Sequence, residues 1–172
     1  QGWQRHLLQA EYVDTVIGRV IDRLRQDGIY DDALVVLLAD HGITIRPGTE
    51  HQRVVTDGTT GTISFVPLFV KYPRGFDAAP APGTIDDLRA ETVDVVPTIG
   101  DVLDVSIPWN TDGVSLLDEQ RRAERTASVM HGSNGDVEIS LDIAPLLEVA
   151  TEQDRWFPGG DPYLLAPPGW EG

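Results

Sequence analysis

An α/β fold, with a sheet covered by helices on its faces, is predicted by three features of the sequence. A helical apolar period over residues 7–28 runs into a continuous aliphatic stretch at residues 33–39. A second apolar run follows at residues 63–73, and residues 92–105 return to a helical pattern. A helix feeding a strand that is apolar on both faces is the pattern of α/β proteins.

Each element has its own justification. In "LLQAEYVDTVIGRVIDRLRQDG", Val13, Val16, Ile17, Val20, Ile21 and Leu24 recur three and four residues apart, while Asp14, Arg19, Asp22 and Arg23 fall on other faces, so one face is expected to be buried. Gly28 supplies a C-terminal stop, and Asp31 and Asp32 make the turn into the strand. The run at residues 33–39 does not alternate, which suits an inner strand covered on both faces. The Thr- and Gly-rich "VVTDGTTGT" is expected to be a flexible loop. Pro67 cannot donate a ladder hydrogen bond, so the next strand should begin near it and end before Pro73.

"GFDAAPAPGTIDD" is a Pro, Ala and Gly loop. In "TVDVVPTIGDVLDV" a short strand or turn passes into a helix, with Asp94 as N-cap, Pro97 in the first turn, and Val96, Ile99 and Leu103 facing inward. "SIPWNTDGVSLL" is turn-rich and ends in a small apolar anchor. Beyond it, "DEQRRAERTA" is expected as an exposed charged helix and "VEISLDIAPLL" contains an alternating run that suits a strand. His131, in "VMHGSNGD", is expected as a solvated loop residue, and "FPGGDPYLLAPPGWEG" is tail-like.

A chain of 172 residues that is 41% hydrophobic has enough material for one domain with a core. Residues 1–117 are expected to form its α/β portion and residues 118–172 an acidic, partly irregular extension. The chain opens at Gln1 and enters a helical pattern almost at once, so a piece of a longer polypeptide is expected. It has no run of about eighteen apolar residues and no signal-peptide series. Without cysteine there is no disulfide framework and no thiolate metal site.

The formal charge of −15, from 28 acidic and 13 basic residues, repels nucleic-acid phosphates, so no nucleic-acid partner is expected. Against that background Arg46, His51, Arg53, Lys71 and Arg74 fall within one stretch. They are either ordinary surface charges or the basis of an anion site.

The aliphatic strand ends on Asp40, His41 and Gly42. A carboxylate and a neutral imidazole together suit a divalent cation, and ligands bind at the carboxyl ends of strands in α/β sheets. Adjacent residues of a regular strand point to opposite faces, so shared ligation requires the strand to break there, which Gly42 permits. The alternative is a loop-capping Asp beside a half-buried His.

Taken together, "ALVVLLADHG", "VPLFVKYP" and "TVDVVPTIGDVLDVSIPWNTDGVSLL" resemble, in order, four features of the alkaline phosphatase and sulfatase superfamily. These are its Asp-His-Gly metal strand, the following Val-Pro strand, the Asp-x-x-Pro-Thr helix and the Asp-Gly-x-Ser-Leu segment. The likeness covers roughly residues 7–117 and is closest in kind to extracytoplasmic domains of actinobacterial membrane sulfatases. It implies the C-terminal part of an alkaline-phosphatase-like sandwich, with a mainly parallel sheet flanked by helices, in a membrane-anchored protein. It also implies a metal-dependent hydrolase of sulfate or phosphate esters with Asp40 and His41 as metal ligands. Arg46, His51 and Arg53 occupy the stretch where sulfatases place basic residues that contact the substrate anion. Calcium, magnesium, manganese and zinc all accept an Asp and His pair.

The departures are equally specific. No Cys/Ser-x-Pro-x-Arg nucleophile motif exists, since "SIPWN" carries Asn110 where Arg is required and follows the metal strand. The resemblance therefore implies that the nucleophile and the other ligands lie in a preceding, N-terminal part of the same polypeptide. The competing expectation is a catalytically silent acidic module that keeps the scaffold as a binding or structural part of a cell-envelope protein.

Overall fold

The computed structural model describes residues 2–44, 53, 55, 59–126, 128–132 and 135–139. Helix α1 spans Gly2–Gln26, strand β1 Val35–Leu38, helix α2 Thr60–Ser64 and strand β2 Leu68–Lys71. A 3-10 turn at Thr92–Asp94 leads into helix α3, Val95–Leu103. Helix α4, Glu119–Ala123, and strands β3, Ser128–Gly132, and β4, Gly135–Ile139, complete the order. Helices and strands thus mix along the chain as an α/β fold requires. The described pairings are both antiparallel, β1 with β2 and β3 with β4. Parallel ladders of the kind the superfamily implies are not among them.

The chain divides into two compact units, one of Gln1–Val20, His41–Val66 and Ala127–Gly172, the other of Ile21–Asp40 and Pro67–Thr126. In the first, α1 carries Val13 and Val16 exposed and Ile17 half-buried, so its apolar stripe is present but not covered as expected. A helical period decides which residues share a face; covering that face takes a second surface, about which the period is silent. Ile63 is buried at the centre of α2. The end of "VVTDGTTGT" is therefore helical rather than loop, because Thr60 to Thr62 enter α2. His131 lies in β3, with Gly132 in register with Gly135, so its backbone is extended rather than turn-like.

The second unit opens with the last turn of α1, which closes as the sequence predicts. Gly28 takes a positive φ of 72°, its N–H reaches the Arg25 carbonyl at 3.0 Å, and the Ile29 N–H reaches that of Leu24 at 3.0 Å. This is the Schellman arrangement, which a residue with a Cβ would strain. β1 pairs with β2 in the register Val35 with Lys71 and Leu38 with Leu68, and β2 starts directly after Pro67 and ends before Pro73, as expected.

β1 is not the fully covered strand expected from its composition. Val35 to Leu37 are half-buried, and Leu38 is 37% and Phe69 of β2 63% exposed. Lys71 closes the pair onto the preceding turn. Its Nζ donates to the carbonyls of Tyr30, Asp31 and Ala33 and lies 4.7 Å from the Tyr30 ring centroid. Arg74 pairs with Asp31.

A polar knot in this unit joins two sequence motifs. Asp94, fully buried, accepts four hydrogen bonds: the amides of Glu91 and Val114 at 2.8 Å each, and a bidentate Arg125 guanidinium at 2.7 and 2.9 Å. Thr98 donates to the Asp94 carbonyl at 2.6 Å and accepts the Leu116 amide at 2.9 Å. Gly113 lies so close to Val93 that a Cβ there would stand 2.1 Å from the Val93 oxygen. Asp-x-x-Pro-Thr and Asp-Gly-x-Ser-Leu are thus the two halves of one hydrogen-bonded joint.

The joint sets the rotation of α3. Asp94, Thr98 and Val102, four residues apart, form its buried stripe, and the residues expected to face inward, Val96, Ile99 and Leu103, are exposed. Asp94 does stand at the N-cap position, but its side chain makes no cap bond to α3 because its oxygens are spent on the knot.

The charged segment after residue 117 supplies the other buried cation. Asp118 caps α4 by accepting the Arg121 amide at 3.0 Å. Arg122, only 1% exposed, reaches the carbonyls of Leu88, Leu116 and Arg89 at 2.8 to 3.0 Å and Asp86 at 2.6 Å. The expected exposed helix therefore buries one of its arginines. A guanidinium with five donors can satisfy a bend lined by carbonyls, which an apolar side chain could not.

Candidate functional site

β1 delivers the chain to the Asp-His-Gly tripeptide. Asp40 stands two residues past Leu38, exposed, and closes the Ile21–Asp40 stretch of the second unit. His41, half-buried, opens the His41–Val66 stretch of the first unit. Its Nδ1 lies 2.8 Å from the Gly42 carbonyl oxygen. A carbonyl only accepts, so Nδ1 carries the proton; in a neutral ring the lone pair then falls on Nε2, the nitrogen that would ligate a metal.

Gly42 is required for a reason other than the one its place in the sequence implies. Its φ is not positive. Its N–H donates to the Ile63 carbonyl at 2.7 Å, and a Cβ built on it would lie 2.0 Å from the Thr62 oxygen. The glycine permits close approach of two backbones, not a left-handed turn. Two residues on, Thr44 is fully buried with its hydroxyl on that of Thr62, which in turn donates to the Thr59 carbonyl at 2.9 Å.

The obstacle to a side chain at residue 42 is backbone, so it cannot rotate away. Gly42→Ala is expected to cost about 1–3 kcal/mol of stability, typical of overpacking. A urea titration followed by circular dichroism checks this, with an unchanged midpoint as the contrary result.

Of the basic residues expected at the site, Arg46 and His51 lie outside the described residues. Arg53 is described and exposed. Lys71 and Arg74 are engaged by the Tyr30 to Ala33 turn in the second unit. Among the described residues no three His, Asp or Glu side chains gather into a metal cluster. Thr44 and Thr62 were not legible as parts of this site. The sequence signal for Thr62 is the Thr-Thr-Gly-Thr stretch 59–62, which equally suits a loop, and Thr44 has none.

The chain is 30% identical over 156 residues to choline-sulfatase of Rhizobium meliloti (strain 1021), an alignment covering 88% of this chain and 27% of that protein. It is 32% identical over 105 residues to the multifunctional alkaline phosphatase superfamily protein PehA of Trinickia caryophylli, covering 61% of this chain and 19% of that one. It is 31% identical over 104 residues to arylsulfatase K of Bos taurus, covering 60% and 18%. The chain therefore spans about a quarter or less of the length of the curated relatives it matches. The family model for sulfatases matches residues 4–105, more than half of the chain, and includes β1, the Asp-His-Gly tripeptide, β2 and α3. This chain belongs to the sulfatase family.

Proposed function

We propose that the chain contributes Asp40 and His41 as divalent-metal ligands to a hydrolase of sulfate or phosphate esters. The nucleophile and remaining ligands come from the N-terminal part of the same polypeptide. The observation that carries the reading is the His41 tautomer: with Nδ1 donating to Gly42, Nε2 has the lone pair a cation needs. A hard carboxylate oxygen and an imidazole nitrogen suit calcium, magnesium, manganese or zinc, so the donor chemistry fits the metal that sulfatases generally use. When bound, the cation supplies positive charge beside the ester oxygens.

The chain's own residues do the rest of its share. Asp40 and His41 hold the ion at the end of β1. Arg46, His51 and Arg53 bind the sulfate or phosphate oxygens and stabilise charge that grows on them in the transition state. Gly42 keeps the tripeptide seated on α2. The domain is proposed to stand outside the cytoplasm in a membrane-anchored protein. Among the described residues, no helix of this chain is long and apolar enough to cross a membrane.

The test uses the intact polypeptide. Asp40→Asn and His41→Gln, assayed with aryl sulfate and aryl phosphate, should each lose at least about a hundredfold in kcat/KM, the upper part of the range seen when a metal site is disturbed. The metal-free melting temperature of Asp40→Asn should stay close to the parent's, because Asp40 is exposed. Full turnover by either variant would remove the pair from the site.

A further inference from the structure

We propose that Thr62 is a positioning residue for His41, acting with Thr44 through the peptide of Gly42. The role assigned to His41 rests on the metal-ligand reading above. A histidine offers one nitrogen to a metal, and which one is decided by the partner of the other. Here that partner is the Gly42 carbonyl, 2.8 Å from Nδ1. What fixes Gly42 therefore helps to fix the tautomer and the ring.

Gly42 is fixed by two consecutive residues of α2. Its N–H bonds to Ile63, and its Cα packs where Thr62 leaves no room for a side chain. α2 is only five residues long, too short to persist on its own helical hydrogen bonds. It needs an external tie, and Thr62 supplies one. The Thr62 hydroxyl has a single proton, given to the Thr59 carbonyl, so the buried Thr44 hydroxyl must be the donor to Thr62 Oγ1. Residues 42–44 are thereby clamped to α2 at both ends, by Gly42 N–H on Ile63 and by Thr44 on Thr62. A valine at residue 62 keeps the shape and removes both bonds. A serine keeps both.

The experiment is nitrogen NMR of His41 in the intact polypeptide, labelled with 15N-histidine, at about pH 8 where a free imidazole is neutral. The signal is assigned by its loss in His41→Gln. Manganese(II) is then added to broaden it. Wild type and Thr62→Ser should show the Nδ1–H tautomer. Thr62→Val should populate both tautomers and need roughly tenfold or more manganese for the same broadening. Thr44→Val, which loses only the bond between the two hydroxyls, should shift the tautomer in the same direction, with the double variant no worse than Thr62→Val.

An unchanged tautomer in Thr62→Val, or failure of Thr62→Ser to match wild type, would overturn the proposal. Should Thr62→Val unfold, Thr44→Val makes the same comparison and leaves the Thr62 bond to Thr59 in place. A tautomer that responds as expected, in an intact polypeptide whose His41 manganese never broadens, would support the positioning role and sink the metal-ligand reading instead.

Discussion

Asp94→Ala is expected to destabilise the chain by about 3–5 kcal/mol, the range found when one member of a buried ion pair is deleted. The substitution strands Arg125, itself nearly buried, with Glu91 at 3.2 Å as its remaining carboxylate. It also leaves the amides of Glu91 and Val114 without their acceptor. Both sides of the joint between residues 91–98 and 113–116 loosen together. Urea unfolding at pH 7 reads the loss directly, and a midpoint within experimental error of wild type would mean that the knot contributes little.

The same carboxylate makes the fold sensitive to acid in a defined direction. Burial by itself raises the Asp94 pKa. The hydrogen bonds from Arg125, Val114 and Glu91, with the Arg125 charge, outweigh burial and hold it below its ordinary value. Asp86 follows the same pattern: burial raises it, and Arg122 and the Leu88 amide more than compensate. A pKa lower in the folded than in the unfolded chain stabilises the fold above the unfolded value, near 3.9 for Asp, and that stability is lost as pH falls through the folded value. Stability should therefore be flat in these groups at neutral pH and decline below about pH 4. In Asp94→Asn the decline should be shallower, with Asp86 supplying what remains.

Arg122→Ala should cost about 3 kcal/mol or more. The partly buried carbonyls of Leu88, Arg89 and Leu116 would each lose a donor, at up to roughly 1–3 kcal/mol for a buried group left unpaired. A cavity the size of the side chain adds to that. Asp86 is 47% exposed and rehydrates, so its lost partner adds less. Arg122→Lys retains the charge but replaces a planar fork with a single ammonium, which cannot meet carbonyls on three sides, and should lie between alanine and wild type. Thermal melts of the three proteins give the order, and a lysine variant as stable as the parent would show that charge, not geometry, is what the site needs.

What the sequence by itself determined is local and chemical. The helix ending at Gly28, the strand held between Pro67 and Pro73, the helix opening at Asp94 and Pro97, and the Asp-His-Gly tripeptide at the end of an aliphatic strand all follow from short-range rules. Those rules are glycine at a left-handed cap, proline without a donor, and periodicity within one element. The order of the motifs was also enough to indicate the sulfatase family.

What only the tertiary structure decided are the partnerships between residues far apart in the chain. Val96, Ile99 and Leu103 make as good an apolar stripe as any, yet α3 turns Thr98 and Val102 inward, because Asp94 and Thr98 bond to amides about twenty residues away. Arg122 reads as a surface charge until Leu88, Arg89 and Leu116 are seen to aim their carbonyls at it. Gly42 reads as a hinge until Thr62 is found where its side chain would be. In each case a hydrogen-bonding group or a steric limit is satisfied by a residue that no local window contains, so only the folded chain reveals which face is inside and which glycine is obligatory.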